Sequence, residues 1–235
     1  MSLSPVWSLE IVVFMKHSDL VLNTHIIESI VWSSFDDNQE IFGKIYKKNL
    51  WSSNESVSGK GSEYQSTINI RRELPLLFEK YKIKTLIDAP CGDYSWFKNV
   101  SHDLDRYIGI DIVPELISIN SKYSNEKISF KTADLLNYNF ECVDMILCRD
   151  CFIHLTNKQI NIALSRFRVS NSRYLLTTNF DKITYNEDIL TGQYRPINLE
   201  IEPFCLGKPI LNIVEDVADG KSISLWSLGG VLDDE

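Results

Sequence analysis

No run of apolar residues in this chain of 235 approaches the ~20 needed to cross a bilayer as a helix, so no membrane span is expected. The N-terminal "VWSLEIVVF" is short, is interrupted by Glu10 and lacks a basic lead, which makes it a poor secretory signal. Positive charge is in deficit: 24 Lys and Arg face 32 Asp and Glu, a formal charge of −8. Such a surface repels phosphate backbones and argues against a nucleic-acid partner. No aromatic-plus-basic stacking stripe compensates for it. Paired cysteine is lacking too. Five cysteines, an odd number, point to reduced thiols and a cytoplasmic protein. Cys148 and Cys151 form one CxxC, but no second Cys or His pair has zinc spacing, so no metal site is expected.

What is present is a rhythm of strands and helices. Apolar residues Ile68, Ile70, Leu74, Leu77 and Phe78 recur at helical spacing and predict a helix over 68–82 with Thr67 as its cap. Strands are expected at 84–88, 107–111, 128–134, 143–150 and 173–180. Helices are expected from near Tyr94, from Pro114 in a first turn, and from near Asn157. There Thr156 and Gln159 have capping-box spacing, with Leu155 and Ile160 as the staple. Residues 181–200 read as a polar loop, and 209–216 with 222–228 as a final antiparallel pair. The expected fold is α/β: a doubly wound, mostly parallel, Rossmann-like sheet with helices on both faces. Residues 1–66, with apolar segments Ile11–Phe14 and Ile26–Val31, are expected to form a helical or lid segment. It would pack on a main domain over 67–235.

The glycines of a dinucleotide turn are also missing. In "KTLIDAPCGDYSWF", 84–97, Pro90 and Gly92 allow a tight turn, but Tyr94 and Trp96 obstruct a pyrophosphate. Asp93, expected near a helix N-terminus, repels an anion and attracts a cation. A nicotinamide or flavin cofactor is therefore disfavoured. The turn suits a nucleoside-like cation, and S-adenosyl-L-methionine (SAM) carries a sulfonium, an ammonium and an adenosine. Asp111, about twenty residues on, is placed for ribose hydroxyls. Asp134, at the expected end of the third strand, is placed for the adenine amino group.

On "LIDAPCGD", "IGIDIV", "FKTADLL" and "VDMILCRDCFIHL" the chain resembles the class I SAM-dependent methyltransferases over about residues 55–228. It departs from their acidic-x-Gly-x-Gly-x-Gly turn at Pro90 and Tyr94. With "SGKGS" and "NEDILTGQYRPINL" it also resembles a bacterial subgroup associated with surface-polysaccharide biosynthesis. That resemblance implies SAM as cofactor, a sugar or nucleotide sugar as acceptor, and O-methylation. The other readings are an amine or protein acceptor and a SAM-binding module without catalysis. A homodimer is allowed for. The cofactor side is expected from Ser62, Arg71, Asp88, Pro90, Gly92, Asp93, Asp111, Ile112, Asp134, Leu135 and Cys148. In it, Ser58, Gly59, Gly61 and Ser62 form a segment that closes over the methionine end, and Arg71 pairs with the carboxylate.

The loop "CRDCFIHLT" leaves the ligand edge of the sheet. Its His154 is the candidate general base, since an imidazole pKa near 6.5 suits neutral pH. Asp150 either orients His154, binds an acceptor hydroxyl or is itself the base. Arg149 either touches the acceptor or ties the loop to a neighbouring carboxylate. From the polar loop 186–199, Asn186, Asp188, Arg195 and Asn198 are expected to bind a polyol, with Arg195 meeting a phosphate.

Overall fold

A computed structural model describes residues 37–229; the segments expected within 1–36 lie outside the described residues. Helix α1 spans Asn38–Lys48, α2 Ile68–Lys80, α3 Pro114–Asn120 and α4 Asn157–Val169. The strands are β1 Thr85–Asp88, β2 Arg106–Asp111, β3 Ile128–Thr132, β4 Met145–Cys148, β5 Tyr174–Phe180, β6 Leu211–Asp216 and β7 Lys221–Ser227. They form one sheet in the order β3-β2-β1-β4-β5-β7-β6. Pairing is parallel from β3 through β5 and antiparallel where β7 enters between β5 and β6. This is the expected doubly wound sheet with its terminal antiparallel pair.

The central strands are apolar on both faces because both faces are covered. On β4, Ile146 and Cys148 join the layer under α4, whose Ile160, Ala163, Leu164 and Phe167 are buried. Met145 and Leu147 join the opposite layer, where α2 contributes Ile70, Leu74, Leu77 and Phe78. The capping box of α4 is present: Thr156 Oγ1 accepts from Gln159 N at 3.1 Å, and Gln159 Oε1 accepts from Thr156 N at 2.9 Å. Pro114 opens α3, where its missing N–H has no intrahelical partner to lose.

Three expectations on the carboxyl edge are corrected. No α-helix starts near Tyr94; β1 leads through a turn to a single 3-10 turn at Phe97–Asn99 and on to β2. Strand β3 stops at Thr132, so Asp134 lies in the following turn rather than at a strand end. Strand β4 stops at Cys148, which leaves Arg149 and Asp150 in the loop. The absent helix has a physical reason. Tyr94 takes φ of +58°, a left-handed conformation that breaks helical propagation. Its side chain is buried against Phe97, Tyr107, Tyr123 and Phe130, with ring centroids 5.0–5.9 Å away.

A non-glycine residue in the left-handed region costs about 1–2 kcal/mol, while truncating a large buried aromatic costs about 3–5 kcal/mol. The packing term wins. Tyr94→Gly is therefore expected to destabilise the protein by about 2–3 kcal/mol despite relieving the backbone, read as a lowered urea midpoint at unchanged slope.

Candidate active site

One cleft at the carboxyl edge gathers most of the expected residues. Ser62, Asp88, Pro90, Gly92, Asp111, Ile112, Asp134, Leu135, Arg149, Asp150 and His154 all line it. Helix α1 and the turn after it supply the opposite wall through Asn38, Phe42, Tyr46 and Trp51. Gln39 Nε2 of α1 donates to Ile112 O at 3.1 Å, and Gln159 Nε2 of α4 donates to Asn38 Oδ1 at 3.0 Å. The helix thus bridges the strand ends from β2 to α4.

The turn after β1 is held from two sides. Gly92 N donates to Asp111 Oδ2 at 3.0 Å, and Asn120 Nδ2 donates to Gly92 O at 2.7 Å. Gly92 has φ of +55°, and a Cβ there would stand 2.4 Å from Ser58 Oγ. Glycine is required by both backbone and space. Asp111 Oδ1 accepts from Val113 N at 2.9 Å. Burial pushes the Asp111 carboxyl up to about 6, against the pull of these N–H groups. Asp88 is deeper. Burial pushes it up to about 7, although the Tyr107 hydroxyl donates to Oδ2 at 2.7 Å and favours the anion. Neither acid forms an ion pair among the described residues. Asp134 sits at the rim, its Oδ1 accepting from Leu136 N at 2.8 Å.

Arg149 and Asp150 belong to a buried ion network. Arg149 donates from Nε and Nη2 to Glu215 Oε1 at 2.9 and 2.8 Å, and from Nη2 to Gly61 O at 2.8 Å. Its Nη1 lies 3.2 Å from Asp150 Oδ2. Lys221 Nζ sits 2.9 Å from Asp150 Oδ1 and 3.0 Å from Glu215 Oε2. Thr178 Oγ1 adds a donor to Asp150 at 2.9 Å. Arg149 and Lys221 outweigh desolvation and hold the Asp150 carboxyl well below the usual range. So Asp150 is a fixed anion and a poor proton acceptor, and Arg149 ties the loop to Glu215 while also lining the cleft.

His154 is the opposite case. Nδ1 faces Gln193 O at 2.9 Å. A carbonyl can only accept, so Nδ1 carries the proton and Nε2 keeps its lone pair. Burial lowers the imidazole pKa. The ring also stacks on Trp51, centroids 5.0 Å apart at 28°.

The remaining expected residues have other employment. Asp93 does not line the cleft: it accepts from Ser56 Oγ at 2.8 Å and Ser95 N at 3.0 Å, while its own N donates to Ser58 Oγ at 2.9 Å. It anchors the 56–62 segment instead of facing a cation at a helix end. Arg71 donates to Thr67 Oγ1 and Tyr64 O and covers the Tyr64 ring. Cys148 faces the core under α4. Arg195, expected at a phosphate, is buried and donates to Phe152 O, Leu155 O, Glu187 O and Asn157 Oδ1 at 2.7–3.1 Å. Asn186 and Asn198 bond each other's segment, and Asp188 accepts from Asn157 N at 2.7 Å. None of the four lines the cleft. The loop 186–199 is therefore a mould for 152–157: Gly192 N donates to His154 O and Arg195 N to Ile153 O.

The groups missed from sequence are Asn38, Phe42, Tyr46 and Trp51 on the wall, and Glu215 and Lys221 in the network. Trp51, at the head of a polar glycine-containing loop, carried the one local signal. The others meet the cleft through contacts across more than sixty residues, which no local pattern encodes.

No family model matches the chain, and no curated protein matches it. Solved structures do. The N-methyltransferase NodS from Bradyrhizobium japonicum WM9, in complex with S-adenosyl-L-homocysteine, is 11% identical, with 81% of this chain and 98% of that chain covered at a TM-score of 0.59. Magnesium protoporphyrin IX methyltransferase from Synechocystis PCC 6803, with bound SAM, is 11% identical over 82% of this chain and 98% of that chain, at 0.57. The methyltransferase domain of bacterial CtHen1-CN is 14% identical over 68% and 97%, at 0.53. At these identities the likeness is one of fold: this chain has the Rossmann-like fold of class I SAM-dependent methyltransferases.

Proposed function

We propose that this protein is a SAM-dependent methyltransferase that methylates a hydroxyl of a small polar acceptor, a sugar being the leading class. The observation that carries the reading is the convergence of Asp88, Asp111 and Asp134 on the cleft that also holds His154. The donor set fits the cofactor. Buried Asp88, without an ion pair, suits a positive charge, buried Asp111 suits hydroxyl donors, and the glycine turn at Gly92 lets backbone approach. Asp111 would take the ribose hydroxyls, Asp134 and Leu135 the adenine, and Asp88 the cationic methionine end. SAM supplies a methyl group on an already activated sulfur, so the protein's work is alignment and proton removal.

His154 is the base in this reading. Its Nδ1–H on Gln193 O fixes the tautomer, and Nε2 takes the acceptor's proton. Asp150, locked between Arg149 and Lys221, supports the loop electrostatically. Arg195 is spent on carbonyls, which favours a simple hydroxylated acceptor over a sugar nucleotide. The odd cysteine count and acidic surface support a cytoplasmic enzyme.

Two predictions test this. The first concerns Asp88. SAM at ~100 times its dissociation constant should add about 2.7 kcal/mol, a rise of ~5–10 °C in Tm for a protein of this size, whereas NAD should give none. A folded-state pKa of about 7, above the unfolded ~3.9, means that Asp88 favours the fold below pH ~4 and that this contribution is lost as pH rises through about 7. Asp88→Asn should accordingly raise the Tm of the ligand-free protein at pH 8 while weakening SAM binding. SAM affinity of the parent should tighten from pH 6 to 8, with proton release visible by calorimetry in buffers of different ionisation enthalpy. A shift with NAD and none with SAM would sink the reading.

The second concerns His154. His154→Asn should lower kcat by ~10²-fold or more, with SAM affinity nearly unchanged. Burial depresses the imidazole pKa, so parent turnover should rise with pH below 6.5 and level off above it. Near-normal turnover by a folded His154→Asn protein would remove the base role and leave an acceptor that needs no deprotonation.

A further inference from the structure

The indole of Trp51 stacks on the imidazole of His154, and both line the cleft. Trp51 is itself firmly placed. Helix α1 ends at Asn49 in the left-handed conformation, φ +47°, with its N–H bonded to Ile45 O and Tyr46 O. Asn49 Nδ2 then donates to Ser53 O at 2.9 Å across a second left-handed residue, Ser52. Phe42 flanks the indole at 6.5 Å, tilted 50°. Gly59 passes over it so closely that a Cβ there would stand 2.9 Å from Trp51 Cβ.

On the other side the imidazole has one hydrogen bond, to Gln193 O, and a tilted neighbour, Tyr194, at 6.0 Å. A single hydrogen bond at Nδ1 leaves the ring free to swing about that contact. A stacked face removes that freedom.

We propose that Trp51 is a positioning residue for His154, fixing the imidazole plane and stabilising the imidazolium formed when Nε2 takes a proton. The inference rests on His154 being the base. The second half follows from the ring quadrupole: a cation over an indole face gains ~0.5–2 kcal/mol. The imidazolium also meets the Asp150 anion, which favours it, the Arg195 and Lys221 cations, which oppose it, and the burial that opposes it most. Tyr194, half-exposed and neutral at working pH, adds no charge. With burial against the cation, the indole is the neutral partner that lowers the cost of accepting a proton. Trp51 also heads the segment that reaches the cofactor turn, through Ser58 on Asp93 N and through Gly61 O on Arg149. Base and cofactor wall are thus parts of one strap.

The test needs neither methyl donor nor acceptor. The His154 imidazole is assigned by NMR from the signal lost in His154→Asn, and then titrated in the full-length protein. In Trp51→Leu, which keeps apolar cover but has no π face, the midpoint should fall by about 0.4 of a pH unit or more, the low end of the cation–π range converted at ~1.36 kcal/mol per unit. The 15N shifts should move from a pure Nδ1–H tautomer toward a mixture. Trp51→Phe should restore both. Gly59→Ala, which pushes on the indole without removing it, should move them in the Leu direction. In turnover, Trp51→Leu should lower kcat with the acceptor KM little changed. An unchanged midpoint and tautomer in folded Trp51→Leu and Gly59→Ala would overturn the proposal, as would a midpoint that rises. A KM effect alone would make Trp51 an acceptor contact and also overturn it. If SAM does not bind at all, the methyltransferase reading fails while the titration still reports on the Trp51–His154 pair.

Discussion

Four buried charges hold the carboxyl edge of this sheet together. Arg149 and Asp150 leave β4, Glu215 comes from β6 and Lys221 opens β7, and they alternate in sign at 2.8–3.2 Å. Isolated, each would face several kcal/mol of desolvation. Together they are neutral, and hydrogen bonds from Thr178 to Asp150 and from Arg149 to Gly61 O add to the network. Two separate parts of the molecule depend on this. The antiparallel pair β6–β7 is tied to the parallel core at its ligand end. The 56–62 segment is drawn against the β4 loop so closely that a Cβ at Gly61 would stand 2.5 Å from Asp150 Oδ2.

Neutrality inside the network decides the electrostatics outside it. With Arg149 tied to Asp150 and Glu215, Asp88 and Asp111 have no ion-pair partner among the described residues. Asp88 and Asp111 are buried and their carboxyls are pushed up to about 7 and about 6. Two neighbouring acids whose pKa values rise by burial are a stability cost that a packed apolar pair would avoid. Under the proposed function SAM would offset that cost, its cationic end at Asp88 and its ribose hydroxyls at Asp111. Asp150, a few residues from His154, shows the contrast: the same side chain beside two cations stays ionised and inert. The environment, not the residue type, separates the acids whose carboxyls burial pushes up from the acid that braces a loop.

Much of this was legible in the sequence. Strand positions apart from the ends of β3 and β4, the Thr156–Gln159 capping box, Pro114 at a first turn and the terminal antiparallel pair follow from local patterns, and the structure contains them. The acids at the carboxyl edge were legible because the period of the sheet puts strand ends on one side. Two things were not. Tyr94 breaks the expected helix because four aromatics, up to thirty-six residues away in the chain, stabilise a backbone angle that its own type disfavours. The polar side chains of 186–199 looked like acceptor groups because polarity in a loop is the same signal whether the partner is a ligand or a backbone carbonyl. Arg195 shows which one applies: its donors meet carbonyls at 2.7–3.1 Å in the segment that carries His154.

That substitution of partners changes what the loop is for. The base role proposed for His154 would need its imidazole held within a fraction of an ångström of its working position, and loops are poor at this unless something outside them supplies the rigidity. Here the 152–157 loop has a single 3-10 turn, Phe152–His154, and no strand or α-helix through its middle. Its carbonyls at Phe152, Ile153, His154 and Leu155 are each taken by a donor from 192–195, and Gln193 O takes the Nδ1 proton in return. Thr156 and Asn157 are fixed by the helix cap and by Asp188. The long loop therefore does for His154 what a strand would do for a residue within the sheet: it satisfies the backbone and leaves a single side-chain nitrogen, Nε2, with an unspent lone pair at the wall of the cleft.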